Sequence, residues 1–325
     1  MDAKPLHIGA FPSGGSTLTY HFVNGHPSVA VTGELPLLPK VLKRFDAEVP
    51  SERLAEAIEA LYECDFYESF GKRVVSADDF DPRDTYSFAE IYYRLLMSGG
   101  RPPMCERPDA RWFGNETPQN TEYLDDLIRI MPESRFILVT RDVRDTALSW
   151  RNKWGKDMLG CAHRWQARMG AGIEKVRALG EKGMILRFED LLESPATEAQ
   201  RIATFLDLPD WSLFESFAQR NRRVVDGNRY SDSAIVADNK AKWRTKLTER
   251  EARRIEEIAF TTMTRAGYEP EYAKAPRPAS AFEVKRSKVR DLIAMVAVGN
   301  RYKAGNTLRN RLRQLSVALR RRSVA

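Results

Sequence analysis

Within Leu6-His7-Ile8-Gly9-Ala10-Phe11-Pro12-Ser13-Gly14-Gly15-Ser16-Thr17-Leu18, an apolar run gives way to glycines and three hydroxyl side chains, Ser13, Ser16 and Thr17. Such a set can hold an anion. A tight glycine-rich loop aims several backbone N–H groups at one point, and a helix beginning at its end adds partial positive charge there. A phosphate is the natural occupant. Ser16 and Thr17 are placed to cap the helix, and Leu18, Phe22 and Val23 give it an apolar stripe. The plainer alternative is a strand-to-helix turn that needs glycine for its backbone alone.

A second set lies further on. Arg141-Asp142-Val143-Arg144-Asp145 follows directly on Arg135-Phe136-Ile137-Leu138-Val139-Thr140, the clearest strand in the chain. Ser149 stands eight residues after Arg141, two turns into the next helix. An Arg and a hydroxyl at that separation can share one phosphate, the guanidinium by paired hydrogen bonds. The alternative for Arg141 is an ion pair with Asp142 or Asp145. Two anion sites on one sheet suit a ligand with phosphates at both ends of a nucleoside. Glu34 follows a third short strand, Val29-Ala30-Val31, at the kind of strand end where sites of parallel sheets collect. Gly9, Gly14, Gly15 and Ser16 have Walker A spacing, but Gly15 stands where the phosphate-binding Lys belongs. That counts against an ATP-dependent phosphotransferase.

Strands and helices must alternate to position these groups. Helices are predicted to about Gly25 and over 51–64, 85–98, 120–131, 161–179, 196–206 and 248–266, with a further strand at Met184-Ile185-Leu186-Arg187-Phe188. Residues 65–84, Arg101 to Pro108 and Arg220 to Trp243 read as loops, and Trp112 to Pro118 as the approach to a helix. The stripe Tyr86, Phe88, Tyr92, Tyr93 reads as core. The alternation predicts an α/β fold: a three-layer parallel sheet with helices on both faces, of the P-loop nucleotide-binding type.

The charge is unevenly spread. Residues 274–325 hold fourteen Lys and Arg against Glu283 and Asp291, a surplus of twelve, so the preceding residues carry −5 of the total +7. Three regions are expected: an α/β domain over 1–272, a Pro-rich linker over 273–281 and a basic helical extension over 282–325. In the extension Leu308, Leu312, Leu315 and Leu319 recur at helical spacing among Arg309, Arg311 and Arg313. Such a helix can lie on an anionic membrane surface, meet a partner, or dock on its own domain. Neither a signal peptide nor a membrane span is expected. The three cysteines, Cys64, Cys105 and Cys161, predict free buried thiols and a cytoplasmic setting, and the histidines lack metal-ligand spacing.

Taken together these motifs resemble the sulfotransferases that use 3′-phosphoadenosine 5′-phosphosulfate (PAPS). Ile8 to Leu18 is similar to that family's 5′-phosphosulfate loop. His26-Pro27 to Glu34 resembles the stretch that brings in the catalytic Glu of tyrosylprotein and several bacterial sulfotransferases. Phe136 to Trp150 resembles the 3′-phosphate motif, and Phe188-Glu189-Asp190-Leu191 the family's aromatic-Glu-Asp-Leu signature. Lys242-Trp243-Arg244 completes the order. Two cations of the family pattern are replaced. Ser13 takes the place of a loop Arg or Lys, and Glu116 that of the Lys in Asp-Lys-Thr-Pro. Lys40, Arg44, Lys240, Lys242 and Arg244 are candidates to supply the missing charge.

The resemblance implies an O-sulfotransferase with PAPS as donor and no metal. Glu34 would be the general base. Ser13, Gly14, Gly15, Ser16 and Thr17 would hold the 5′ end of the donor, and Arg141 and Ser149 the 3′-phosphate, with Lys242 and Arg244 nearby. The acceptor expected is a hydroxyl on a sugar, a membrane glycolipid or a small molecule, with a peptide tyrosine also open, shaped by segments 40–110 and 220–240. No nucleic-acid partner is expected. The alternatives are a P-loop ATP-dependent phosphotransferase and a non-catalytic nucleotide-binding member of the fold.

Overall fold

The computed structural model describes residues 2–35, 37, 39–64, 74–98, 106–214 and 239–298. Its strands are β1 (Lys4–Ala10), β2 (Val29–Thr32), β3 (Glu48–Pro50), β4 (Thr85–Ser87), β5 (Trp112–Glu116), β6 (Arg135–Thr140) and β7 (Gly183–Arg187). The helices are α1 (Ser16–Val23), α2 (Pro39–Leu42), α3 (Leu54–Tyr62), α4 (Phe88–Ser98), α5 (Leu124–Ile130), α6 (Val143–Trp154), α7 (Met158–Ala178), α8 (Phe188–Glu193), α9 (Pro195–Phe205), α10 (Trp243–Lys246), α11 (Glu249–Arg265) and α12 (Ala281–Val298).

Five strands form one parallel sheet in the order β2–β5–β1–β6–β7, and β3 and β4 pair as a small antiparallel ribbon. The α/β architecture expected from the alternation is present. β6 shows why its sequence is apolar throughout: Phe136 and Leu138 enter the core on one face, and Ile137 and Val139 the core on the other. A strand covered on both sides has no polar face to show. Trp165, Met169 and Ile173 of α7 cover the first face, and Leu18 and Phe22 of α1 with Ile202 of α9 cover the second. Tyr86, Phe88 and Tyr92 are core residues, as expected.

From β1 the chain runs outward to β2, returns to β5 between them, then crosses to β6 and β7. The direction of winding therefore reverses between β1 and β6. In open parallel sheets the crevice at such a reversal, outside the carboxyl ends of the strands, is where ligands sit. The loop after β1 and the turn after β6 flank it.

Three boundaries differ from the sequence reading. Trp112 to Glu116, read as a helix approach, is a fully buried strand in the middle of the sheet. Gly114, Asn115 and Glu116 disguise it, because all three are poor strand formers. Asn115 is satisfied by donating to the Leu35 carbonyl at 2.7 Å and to Thr117 Oγ1 at 2.8 Å. The helix predicted over 85–98 begins as β4, paired with β3, and becomes helical at Phe88. The helix predicted over 51–64 forms only from Leu54 to Tyr62.

At the C-terminal end, α12 docks on the body. Arg290 Nη1 meets Asp157 Oδ2 at 3.0 Å, Arg164 pairs with Asp291, and Arg254 pairs with Glu283 at 2.7 Å. The Leu308 to Leu319 segment, Cys105 and residues 215–238 lie outside the described residues. Among those described, Cys64 and Cys161 are buried and form no disulfide, no cluster of metal-holding side chains occurs, and no helix is long and apolar enough to cross a membrane.

Candidate active site

β1 ends at Ala10 and α1 begins at Ser16. Between them Gly14 N–H donates to the Phe11 carbonyl at 2.7 Å and closes a tight turn. Ser13 and Gly15 both lie in the left-handed region, at φ 66° and 94°. For a non-glycine residue that conformation costs roughly 1–2 kcal/mol. Gly15 is required for space as well, since a Cβ there would stand 2.2 Å from the Phe188 ring. Gly15→Ala is therefore expected to lower stability by about 1–3 kcal/mol, read as a fall in the midpoint of thermal unfolding. An unchanged midpoint would show that the loop relaxes freely.

The expected cap is absent. Gly15 is the N-cap residue of α1, and it has no side chain to cap the helix amides. Ser16 and Thr17 lie inside the first turn, too far along to cap it. The amides of Ser16, Thr17 and Leu18 thus have no intrahelical acceptor. They are the amides open to an outside acceptor, whereas the Gly14 amide, expected to join them, is spent on Phe11. Trp150 of α6 braces the loop: its ring stacks on Phe11 at 5.2 Å, and its Nε1–H donates to the Pro12 carbonyl at 3.0 Å.

Across the winding reversal, Arg141 is 9% exposed. Its Nη1 donates to the Ser13 carbonyl at 3.3 Å and its Nη2 to the Asn239 carbonyl at 3.1 Å, and the guanidinium lies 4.6 Å from the centre of the Phe188 ring. Its Nε is buried with no hydrogen-bond partner among the described residues. Among the described residues Arg141 forms no ion pair, so the alternative of a bond to Asp142 or Asp145 fails. Each acid has a different hydrogen-bond partner, although the Arg141 charge still acts on Asp145 and opposes the rise that burial gives its pKa. Asp142 pairs with Arg144 at 2.7 Å, and Asp145 accepts the Trp243 N–H at 2.9 Å. Arg144, under the Trp243 ring at 3.8 Å, reaches Glu256 at 2.6 Å.

The turn carrying Arg141 is held from below. Glu189 Oε1 accepts the Asp142 N–H at 3.0 Å, and Oε2 accepts the Tyr268 hydroxyl at 2.7 Å. Burial pushes the Glu189 carboxyl above its usual range. The aromatic-Glu-Asp-Leu segment therefore places Phe188 beneath Arg141 and uses Glu189 as a brace. Ser149 is half-buried on α6 and has no hydrogen-bond partner among the described residues.

The candidate replacement cations divide. Arg44 is bound to Glu56 at 2.7 Å, Lys240 to Glu193 and Arg244 to Glu271. Lys240 and Arg244 line a separate cavity of about 440 Å³ with Arg187, Gly267 and Tyr268, and Arg141 is not among its walls. Lys242 forms no ion pair among the described residues, and its Nζ donates to Asn239 Oδ1 at 2.9 Å, on the residue whose carbonyl Arg141 holds. The side chain of Lys40 lies outside the described set.

Two carboxyls complete the site. Glu34 is exposed beyond β2, and Glu116 ends β5 at 3% exposure. Burial pushes the Glu116 pKa up to about 7, with the Ser16 hydroxyl opposing and the Glu34 charge reinforcing the shift. Ser13, Arg141 and Lys242 therefore gather on one side of the loop, and Ser16, Glu116 and Glu34 on the other. Asn239, Tyr268 and Glu256 were not singled out from sequence. Glu256 sits among acids and arginines on α11, where it reads as a solvated helix face, and nothing in its neighbours marks it as buried.

Residues 5–212 match the profile of the sulfotransferase family. The chain belongs to the sulfotransferase family. Among its relatives, protein-tyrosine sulfotransferase A of Caenorhabditis elegans is 23% identical over 303 residues, covering 88% of this chain and 73% of that protein. A protein-tyrosine sulfotransferase of Drosophila melanogaster is 24% identical over 292 residues, covering 83% of this chain and 52% of its own length. Two solved structures share the fold, each at TM-score 0.50 and 16% identity. The sulfotransferase domain of the Synechococcus PCC 7002 olefin synthase aligns over 79% of this chain and 95% of its own, and that of the curacin biosynthetic pathway over 82% and 98%. This sulfotransferase-family chain spans only about half the length of the Drosophila relative.

Proposed function

We propose that this chain is a PAPS-dependent O-sulfotransferase whose acceptor is the phenolic hydroxyl of a protein tyrosine. Arg141 carries the donor reading. A buried guanidinium with an unused Nε–H, held only by carbonyls and a ring, is poised for an anion. The uncapped start of α1 stands on the other side of the same crevice. Two separated anion sites fit a nucleotide with phosphates at both ends, and the missing Walker Lys argues against ATP. The relatives named for tyrosine favour a peptide acceptor over the sugar or glycolipid expected from the sequence.

Bound PAPS would supply the sulfuryl group. The amides of Ser16 to Leu18 hold its 5′ end, and Arg141 with Ser149 holds the 3′-phosphate. Lys242 lends positive charge where Ser13 does not. Glu34 takes the acceptor's proton. Catalysis rests on positioning and on charge stabilisation by fixed dipoles.

The test is calorimetric titration with adenosine 3′,5′-bisphosphate in parallel with ATP and magnesium, followed by PAPS-dependent mass gain on tyrosine peptides. Preference for ATP would overturn the donor assignment; bisphosphate binding without transfer would favour the non-catalytic alternative. Arg141→Ala removes two charge-assisted hydrogen bonds at about 1.5 kcal/mol each, so bisphosphate affinity is expected to fall about a hundredfold. Unaltered affinity would remove Arg141 from the site.

A further inference from the structure

Glu116 is a carboxyl in a place where an anion is to be held. It ends β5, is 3% exposed, and meets the hydroxyl of Ser16, the first residue of α1. Its Oε1 has no hydrogen-bond partner among the described residues. Among the described residues it forms no ion pair. The groups acting on it from neighbouring elements are Ser16 on α1 and Glu34 beyond β2, while Ile8, beside it on β1, is apolar. A buried carboxylate with no cation, beside a second carboxylate and a bound phosphate, would be strongly repelled. A buried carboxylic acid with an unused oxygen is instead a hydrogen-bond donor.

We propose that Glu116 is a donor-binding residue that works in its protonated form, its carboxyl O–H donating to the anion seated at the start of α1. This rests on the donor site described above. It explains how the site tolerates an acid where the family resemblance expected Lys: the neutral acid supplies the hydrogen bond, though not the charge. Burial, reinforced by the Glu34 charge, raises the pKa to about 7, so a substantial share of the protein keeps the proton near neutral pH. It is lost as pH rises through that pKa, and the group then turns from donor to repelling anion. Anion binding is consequently strongest about a pH unit or more below the Glu116 pKa and weakens as pH rises through it.

The experiment is titration of the full chain and of Glu116→Gln with adenosine 3′,5′-bisphosphate from pH 6 to pH 9. Gln keeps the shape and an N–H donor but cannot ionise, so it corrects for ionisation of the nucleotide itself. Relative to E116Q, affinity of the unaltered protein is expected to fall about tenfold per pH unit above the Glu116 pKa, as one linked proton requires. Parallel pH curves would overturn the role of Glu116 and leave the donor site standing. Failure of both proteins to bind at any pH would overturn the donor site and this inference with it.

Discussion

Replacing Glu34 by Gln is expected to lower turnover by roughly 10²- to 10⁴-fold, the range for loss of a general base, while bisphosphate affinity is kept at low pH, where Glu116 holds its proton. The separation of the two effects follows from where the groups stand. Glu34 lies beyond β2 and is exposed to an incoming acceptor, whereas the anion-facing amides belong to α1 and the guanidinium to the turn after β6. Amide and carboxylate have nearly the same shape, so the substitution removes proton acceptance without opening a hole. Single-turnover rates with PAPS and a tyrosine peptide, beside calorimetry, give the comparison. Unchanged turnover would remove Glu34 as the base. A further effect is built in: without the Glu34 charge the Glu116 proton is held less tightly, so the pH dependence of binding should move to lower pH.

Glu256→Ala is expected to cost about 3–5 kcal/mol of stability, as removal of one partner of a buried ion pair does. Glu256 is fully buried. It accepts from Arg144 at 2.6 Å and from the amides of Glu271, Tyr272 and Ala273 at 3.0, 2.7 and 2.7 Å. Alanine would strand three amides and half of a guanidinium in an apolar setting, and each orphaned group carries its own desolvation penalty. At about 2–4 °C per kcal/mol for a domain of this size, the thermal midpoint should fall by roughly 10 °C. Glu256→Gln, which keeps two acceptor lone pairs, should lose less. A fall below about 1 kcal/mol would mean the network is redundant.

The reading from sequence succeeded where local chemistry and fold coincide. The loop from Gly9 to Thr17 and the run ending in Arg141 carry their patterns within about a dozen residues, so both the strands and their placement at one sheet edge were legible. It failed where partners come from afar. β5 looks unlike a strand because its polar residues are satisfied by Leu35 and Thr117 rather than by solvent. Arg144 and Asp145 stand beside Arg141 in the sequence, yet their partners, Glu256 and Trp243, lie about a hundred residues away. The cap at Ser16 was misplaced by one residue, because Gly15 can adopt a backbone angle that Ser cannot adopt cheaply. Arg244 was expected at the nucleotide, and its pairing with Glu271 could not be seen in a run of mixed charge.

The profile match ends at residue 212, after all five strands of the main sheet, yet several partners of the Arg141 turn come later in the chain. The Asn239 carbonyl holds Arg141, Trp243 N–H satisfies Asp145, Glu256 neutralises Arg144 and Tyr268 fills the second oxygen of Glu189. A ribosome making this chain would therefore finish the sheet well before the crevice is able to hold its guanidinium in place. Until the last third folds back, Arg144 has Asp142 but not Glu256, and Glu189 has the Asp142 N–H but not the Tyr268 hydroxyl. Competence to bind then arrives as a late, single closure, and the scaffold and its chemistry are separable in time although they occupy one domain.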